Sequence, residues 1–230
     1  AYDFTKYVPS YINATARNTN NLLYAESIYI GYKWYETAYA EGYFDDVTTE
    51  YGTGYDGVVQ YPFGYGLSYT DFTWEVEEGI DPLVAVTDDS EFTVKVRVTN
   101  TGEHAGKDVV QLYFTPPYYE GEIEKSEINL LAFAKTELLQ PGQSQLLELN
   151  FTSYDMASYD CYDKNTNGFM GYEMEEGSYQ IKLMKDAHTA ATCENATVTI
   201  NAEYDIKFRR DPVTNTFVKN RFTGEMAYAN

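Results

Sequence analysis

The sequence predicts an all-β fold, an antiparallel sandwich of immunoglobulin type behind an irregular, aromatic-rich N-terminal segment. Three observations carry this. From Asp71 onward apolar residues recur with period two. Turn signals separate the strand candidates about every ten residues. The first sixty residues hold many rings but no clean period of their own. No internal repeat of repeat-protein length is visible.

The elements follow in order. An Asn-rich stretch, Arg17 to Asn21, precedes LLYAESIYIGYKWYETAYA. Tyr24, Ile28, Tyr32 and Tyr35 recur at helical spacing, which allows a short helix, while the aromatic richness allows an extended run equally well. Glu41 to Tyr61 holds four glycines among acidic and Tyr residues and reads as a long loop. In the first clear strand Phe92, Val94, Val96 and Val98 point one way and Thr93, Lys95, Arg97 and Thr99 the other. Asn100-Thr101-Gly102 closes it. Val109 to Phe114 is the next strand, ended by Pro116-Pro117, and Leu130 to Leu139 follows. After a Pro141-Gly142 turn, Leu147, Leu149 and Phe151 alternate. Tyr179, Ile181 and Leu183 alternate after Glu176-Gly177, and Val198 and Ile200 form the last strand. The tail from Glu203 has no hydrophobic period, and KFRRDPVTNTFVKNRF carries most of the late positive charge. The expected division is residues 1–70 as a connecting segment with a long loop, 71–202 as the sandwich and 203–230 as a linker.

The net charge of −20 over 230 residues excludes nucleic acid as a partner, because nothing here could neutralise a phosphate ladder. The acidity suits a soluble extracellular protein. No run of eighteen apolar residues predicts a membrane span. Ala1 opens an already polar, aromatic segment, so no leader is read there and the chain is expected to be a mature form or a piece of a longer one. Tyrosine stands out at 24 residues. Its rings suit sugar stacking, and they equally suit strands and turns.

The most informative stretch is YPFGYGLSYT, Tyr61 to Thr70. Gly64 and Gly66 are interleaved with Phe63, Tyr65 and Tyr69, a pattern that suits a backbone running close against another surface or taking φ > 0. The string resembles the signature joining the α/β sandwich domain to the fibronectin type III-like domain in β-glucosidases of glycoside hydrolase family three. Upstream, YAESIYIGYKWYETAY (Tyr24 to Tyr39) resembles the segment leaving the α/β sandwich, with Ser27 where the family commonly has Gly. Downstream, VTNTGEHAGKDVVQLYFTPPY (Val98 to Tyr118) is similar to the B–C hairpin of the fibronectin-like domain. EIEKSEINLLAFAKTELLQPGQS (Glu122 to Ser144) and DMASYD (Asp155 to Asp160) are similar to its later strands. The resemblance covers Tyr24 to Lys185. The insertion Ala40 to Gln60 and the EGEIEKS stretch look more like the subgroup in which the catalytic barrel follows this domain.

The resemblance implies a non-catalytic accessory part of a secreted glycoside hydrolase. Its partners would be the catalytic barrel and α/β sandwich of the same enzyme or sister chains in an assembly, and β-linked glucosides would be met through the whole enzyme. The rival readings are a free-standing extracellular carbohydrate- or protein-binding module and a structural subunit of an extracellular assembly. In the family the nucleophile is an Asp in a Ser-Asp-Trp-like motif and the acid/base a Glu in the α/β sandwich. Here Trp34 follows Lys33 and Trp74 follows Thr73, so no catalytic residue is carried over. In the family the region before the signature packs near the barrel, which makes Trp34, Tyr35, Tyr43, Phe44, Tyr51 and Tyr55 candidates for the wall of an outer sugar subsite. Their alternative use is simple packing. Tyr29, Tyr32 and Trp34 are expected to be buried in an interface.

Other candidates come from the residues alone. Cys161 and Cys193 would sit near the ends of neighbouring strands, and a secreted protein could pair them or leave them as thiols. Sequons begin at Asn13, Asn150 and Asn195 and matter only in a eukaryotic host. Asp163-Lys-Asn165-Thr-Asn167-Gly168 matches the first half of a calcium loop, but position twelve is Met174, Glu173 falls one short and the flanks are strands. Asn-Gly makes a hairpin turn by itself, and the turn is the reading adopted, with no metal and no cofactor. His104 and His188 lack spaced partners for zinc.

Overall fold

The computed structural model describes residues 26–217. The chain divides into two compact units at Gln60/Tyr61, each considered by itself.

The first unit holds helix α1 (Tyr32–Ala40), a short hairpin of β1 (Thr48–Thr49) and β2 (Gly52–Thr53), and a 3-10 turn at Gly54–Gly57. The helix starts later than the Tyr24-Ile28-Tyr32-Tyr35 spacing suggests. Tyr29 N–H donates to Glu26 O in a turn, and Gly31 takes φ +57, which only then lets the chain wind. Tyr24 lies outside the described residues. Residues 41–61, read as a loop, carry the hairpin, which turns through Glu50 and Tyr51, with Tyr51 N–H donating to Thr49 Oγ1 at 3.1 Å. The small core is Ala38, Phe44 and Tyr55, with Trp34, Tyr35, Val47 and Val59 packed against it.

The second unit is the sandwich. Its strands are β3 (Phe72–Glu78), β4 (Glu91–Asn100), β5 (Val109–Thr115), β6 (Asn129–Lys135), β7 (Ser144–Thr152), β8 (Ser158–Tyr159), β9 (Tyr172–Met174), β10 (Gly177–Met184), β11 (Thr197–Ala202) and β12 (Ile206–Phe208). They pair antiparallel in three sheets, ordered β3-β4-β7, β11-β10-β5-β6 and β12-β9-β8. The alternation read in Phe92 to Thr99 is the burial pattern of β4, whose even-numbered side chains are buried. Across β4 and β7, Val94 faces Leu149, Val96 faces Leu147, and Phe92 stacks on Phe151 with centroids 5.0 Å apart. Leu112, Phe114, Ile181, Leu183 and Ile200 of the four-stranded sheet belong to the same core. Two sheets joined by one core are the sandwich the period-two pattern predicts.

The period-two pattern opens with β3, where Phe72, Trp74 and Val76 alternate with Thr73, Glu75 and Glu77 up to a bulge at Val76/Glu78. Two features depart from the sequence expectation. Leu130 to Leu139 stops pairing regularly at Lys135, and Leu139 returns as an isolated bridge to Gly106. The expectation that the sandwich ends at 202 is corrected at Ile206–Phe208. Those residues pair with β9 and bury Ile206 and Phe208 in the core, because two apolar residues flanking one Lys are too short a run to show a period.

The corner where the chain enters the sandwich is fixed by Asn100, which is fully buried. Its Oδ1 accepts from Thr70 Oγ1 at 2.8 Å and Gly102 N–H at 3.1 Å. Its Nδ2 donates to His104 O at 2.8 Å and Leu139 O at 2.9 Å. A Cβ on Gly102 would meet Thr70 Oγ1 at 2.3 Å, so that glycine is sterically required. Asn100→Ala leaves two carbonyls, a hydroxyl and an N–H without this partner and is expected to cost about 2–4 kcal/mol in urea unfolding. A loss below about 0.5 kcal/mol would show that water replaces the side chain and that the corner does not depend on it.

Candidate functional site

Two surfaces emerge from the residues singled out in the sequence. The first lies in residues 26–60. Tyr55 is buried, and its hydroxyl donates to the buried Glu36 carboxylate on α1. Trp34 packs edge-on to Tyr35 at 5.1 Å and tilted against Phe44 at 5.9 Å. Of the six sugar-stacking candidates, then, Trp34, Tyr35, Phe44 and Tyr55 meet within one small core. Tyr43 and Tyr51 instead stand 75% and 81% exposed. Tyr29 and Tyr32 are half-buried.

The second surface is the Tyr61–Thr70 segment, and its key residue is Gln111 of β5. Sequence reasoning missed it, although a polar residue inside the apolar run Val109 to Phe114 was the available signal. β5 is central in its sheet and buried on both faces, so the Gln111 amide must find partners. Its Nε2 donates to Gly64 O at 3.1 Å and Lys185 O at 2.7 Å, and Oε1 accepts from Tyr113 Oη at 2.9 Å. Ala187 N–H donates to Phe63 O at 2.8 Å. The segment is therefore a strap laid on the outer face of β5. Gly64 meets both expectations raised by the glycine pattern. It takes φ +84, and a Cβ there would lie 2.2 Å from Gln111 Oε1. Gly66 meets neither, with nothing within 4 Å. With the backbone tied down, the side chains face outward: Tyr61, Phe63, Tyr65, Leu67 and Tyr69 are all exposed, Tyr69 to 97%, and Tyr61 stacks on Tyr65 at 5.3 Å.

The buried acids each hold at least one partner within the fold. Glu36 accepts from Tyr55, and Glu175 pairs with Lys125, which also donates to Pro117 O at 2.8 Å. Asp160 accepts from Tyr162 and Lys164 N–H, and Asp186 from His188 and Thr189 N–H. Glu173 accepts from the Asn165 and Asn167 amides, and burial pushes its carboxyl up to about 7. A groove of about 650 Å³ opens between the edges of β3 and β11, floored by Val94, Leu112, Ile181 and Leu183, with Asn195 on its rim.

The cysteines depart from the neighbouring-strand expectation. Cys161 follows β8 of the small sheet, whereas Cys193 lies in the β10–β11 connection of the four-stranded sheet. Both are thiols and not a disulfide, and burial raises the pKa of each. Asn150 on β7 and Asn195 are exposed, and Asn150 Oδ1 accepts from Thr93 Oγ1 at 2.7 Å; Asn13 lies outside the described residues. No helix among the described residues is long and apolar enough to cross a membrane.

The strap's two glycines give a paired test. Gly64→Ala adds a methyl in a left-handed conformation against Gln111 and is expected to cost about 1–3 kcal/mol in urea unfolding. Gly66→Ala is expected to stay within about 0.5 kcal/mol of the parent. Equal effects would mean that Gln111 does not hold the strap.

Comparison with known proteins follows this geometry. Residues 108–187, which contain β5 and Gln111, match the model of the fibronectin type III-like domain. The chain is 37% identical over 170 residues to β-glucosidase A of Butyrivibrio fibrisolvens, covering 70% of this chain and 18% of that protein. It is 34% identical over 193 residues to a β-glucosidase of Ruminococcus albus, covering 84% of this chain and 17% of that protein. The structure of a β-glucosidase from Paenibacillus barengoltzii superposes with a TM-score of 0.59 at 32% identity, over 85% of this chain and 21% of that one. The chain thus spans less than a quarter of the length of the curated relatives it matches. A sandwich entered through this strap and aligned with β-glucosidases along most of its length belongs with the fibronectin type III-like domains of the family-three β-glucosidase type.

Proposed function

We propose that the chain is the non-catalytic, positioning part of an extracellular β-glucosidase-type glycoside hydrolase, holding the catalytic domains in register. The observation that supports this most is the strap. Its backbone is pinned by Gln111 and Ala187, while five apolar or aromatic side chains in a span of nine residues stay exposed. Such a contiguous, fixed apolar row is unusual on a protein without a partner. The relatives' greater length supplies the class of partner: the remaining domains of a β-glucosidase.

A second reading concerns the sugar. Tyr43 and Tyr51 keep their faces in solvent while the rings around them pack. In the assembled enzyme they would border an outer subsite and stack on a pyranose.

Three measurements test these readings. The isolated chain is expected to show no turnover of an aryl β-glucoside. Activity that follows the purified chain through successive columns would defeat the proposal. Hydroxyl-radical footprinting is expected to oxidise Tyr61, Tyr65 and Tyr69 readily in the isolated chain and several-fold less in the full-length enzyme. Equal oxidation in both would leave the strap without its partner. In the full-length enzyme, replacing both Tyr43 and Tyr51 by Ala is expected to raise KM for cello-oligosaccharides several-fold, with kcat for an aryl glucoside unchanged. An unchanged KM removes these rings from the sugar site.

A further inference from the structure

The loop Asp160–Gly171 and the strand that follows it set an unusual arrangement around Glu173. This carboxylate is 0% exposed. Its Oε2 accepts from Asn165 Nδ2 at 3.2 Å and from Asn167 Nδ2, while its Oε1 has no hydrogen-bond partner. Asn167 Oδ1 is likewise buried without a partner. The same Asn167 NH₂ also donates to Asp205 Oδ2 at 2.9 Å, so one neutral amide bridges two carboxylates. Asp205 is half-buried, and its Oδ1 accepts from Glu176 N–H at 2.9 Å. One buried and one half-buried acid held together by a neutral group, with Glu173 Oε1 and Asn167 Oδ1 unpaired, form a site deficient in positive charge.

We propose that this is a calcium site, with Glu173 and Asp205 as the charged ligands and the side-chain oxygens of Asn165 and Asn167 as neutral ones. Rotating each amide by half a turn exchanges its nitrogen for its oxygen, which turns the two groups that now donate to Glu173 into metal ligands beside it. A divalent cation then replaces the NH₂ that bridges the acids, and two carboxylates match its charge. The oxygen-only donor set with amides favours calcium, and the loop supplies no rigid octahedron of the kind magnesium needs. Among the described residues no group of three or more His, Cys, Asp or Glu side chains is placed to hold a metal ion, so a site here must draw half of its donors from amides. Lys207 sits close by, but its ammonium holds the Asn167 main-chain carbonyl at 2.8 Å and not these side-chain oxygens.

The loop has the local form a calcium ligand set requires. Asp163 Oδ1 accepts from Gly168 N–H at 3.0 Å, and Gly168 takes φ +77, which swings the chain so that Asn165 and Asn167 both reach Glu173. The spacing Asp163, Asn165, Asn167, Gly168 thus ends on an acid one position earlier than in a helix-flanked loop. The partner strand of Glu173 contributes the second acid, because Asp205 immediately precedes β12, which pairs with β9.

The experiment uses the full 230-residue chain. Thermal unfolding is followed in EDTA, in calcium chloride and in magnesium chloride at matched ionic strength, and terbium luminescence sensitised by tyrosine reports occupancy. Calcium is expected to raise the midpoint by at least about 3 °C over EDTA, with magnesium giving less than half of that. Glu173→Gln is expected to fold and to lose the calcium shift. Asn165→Asp, which adds charge where a ligand is placed, is expected to tighten calcium binding roughly tenfold. Should Glu173→Gln fail to fold, the Asn165→Asp comparison decides alone. Equal midpoints in EDTA and calcium, an equal shift with magnesium, or no gain in affinity from Asn165→Asp would each overturn the proposal.

Discussion

The structure depends on one side chain that has no business in an apolar strand. β5 runs through the middle of the larger sheet with both faces covered, and on the face away from the sandwich core it carries Gln111. A buried amide without partners costs several times what one good hydrogen bond returns, so the strand is stable only if something delivers carbonyl oxygens to that spot. The strap delivers Gly64 O, and the end of β10 delivers Lys185 O. One side chain thereby joins three segments far apart in sequence, and the requirement passes back to the strap. Residue 64 must come so close to β5 that no Cβ fits, and it must turn through a positive φ. The glycine-aromatic pattern of Tyr61 to Thr70 is the sequence record of that demand.

Asn100, the last residue of β4, imposes a second constraint of the same kind. It ties Thr70 at the end of the strap to Gly102, His104 and Leu139. Between them the two amides clamp both ends of the strap to the sandwich. The sandwich core is generic, built from Val, Leu, Ile and Phe in alternation. The strap is specific, because its position rests on directional bonds. That division fits an accessory domain: the core supplies stability, and the strap supplies the fixed surface on which a neighbour can be seated.

Sequence legibility follows the same line. The alternation in β4, β7 and β10 could be read because each strand buries one face and leaves the other in water. β5 was placed by its bounding Pro116-Pro117, but its Gln111 was not singled out, since both faces are buried and no alternation marks the polar residue. β12 was missed because three residues carry no period. In the N-terminal unit the candidate rings were named as a set, and the structure separates them. Trp34, Tyr35, Phe44 and Tyr55 pack, whereas Tyr43 and Tyr51 do not, and nothing in their spacing distinguishes the two groups. The motif around Asp163 reads as a turn in the sequence, because Asp205, the second acid of the proposed site, lies 38 residues beyond Asn167, just before β12, in a segment without a pattern.

Exposed rings are ordinary on protein surfaces, and any one of them on the strap would need no explanation. What sets these apart is the combination of exposure with a fixed backbone. A flexible loop carrying Tyr61, Phe63, Tyr65, Leu67 and Tyr69 could fold them inward and would lose that freedom on binding. Here Gln111, Ala187 and Asn100 have already restricted the backbone during folding. Association with a complementary apolar surface then removes the rings from water without a further large loss of chain entropy. Net charge works in the same direction. At −20 like charges oppose self-association through the apolar row, which favours the proposed pairing with a neighbour that brings shape and charge to match.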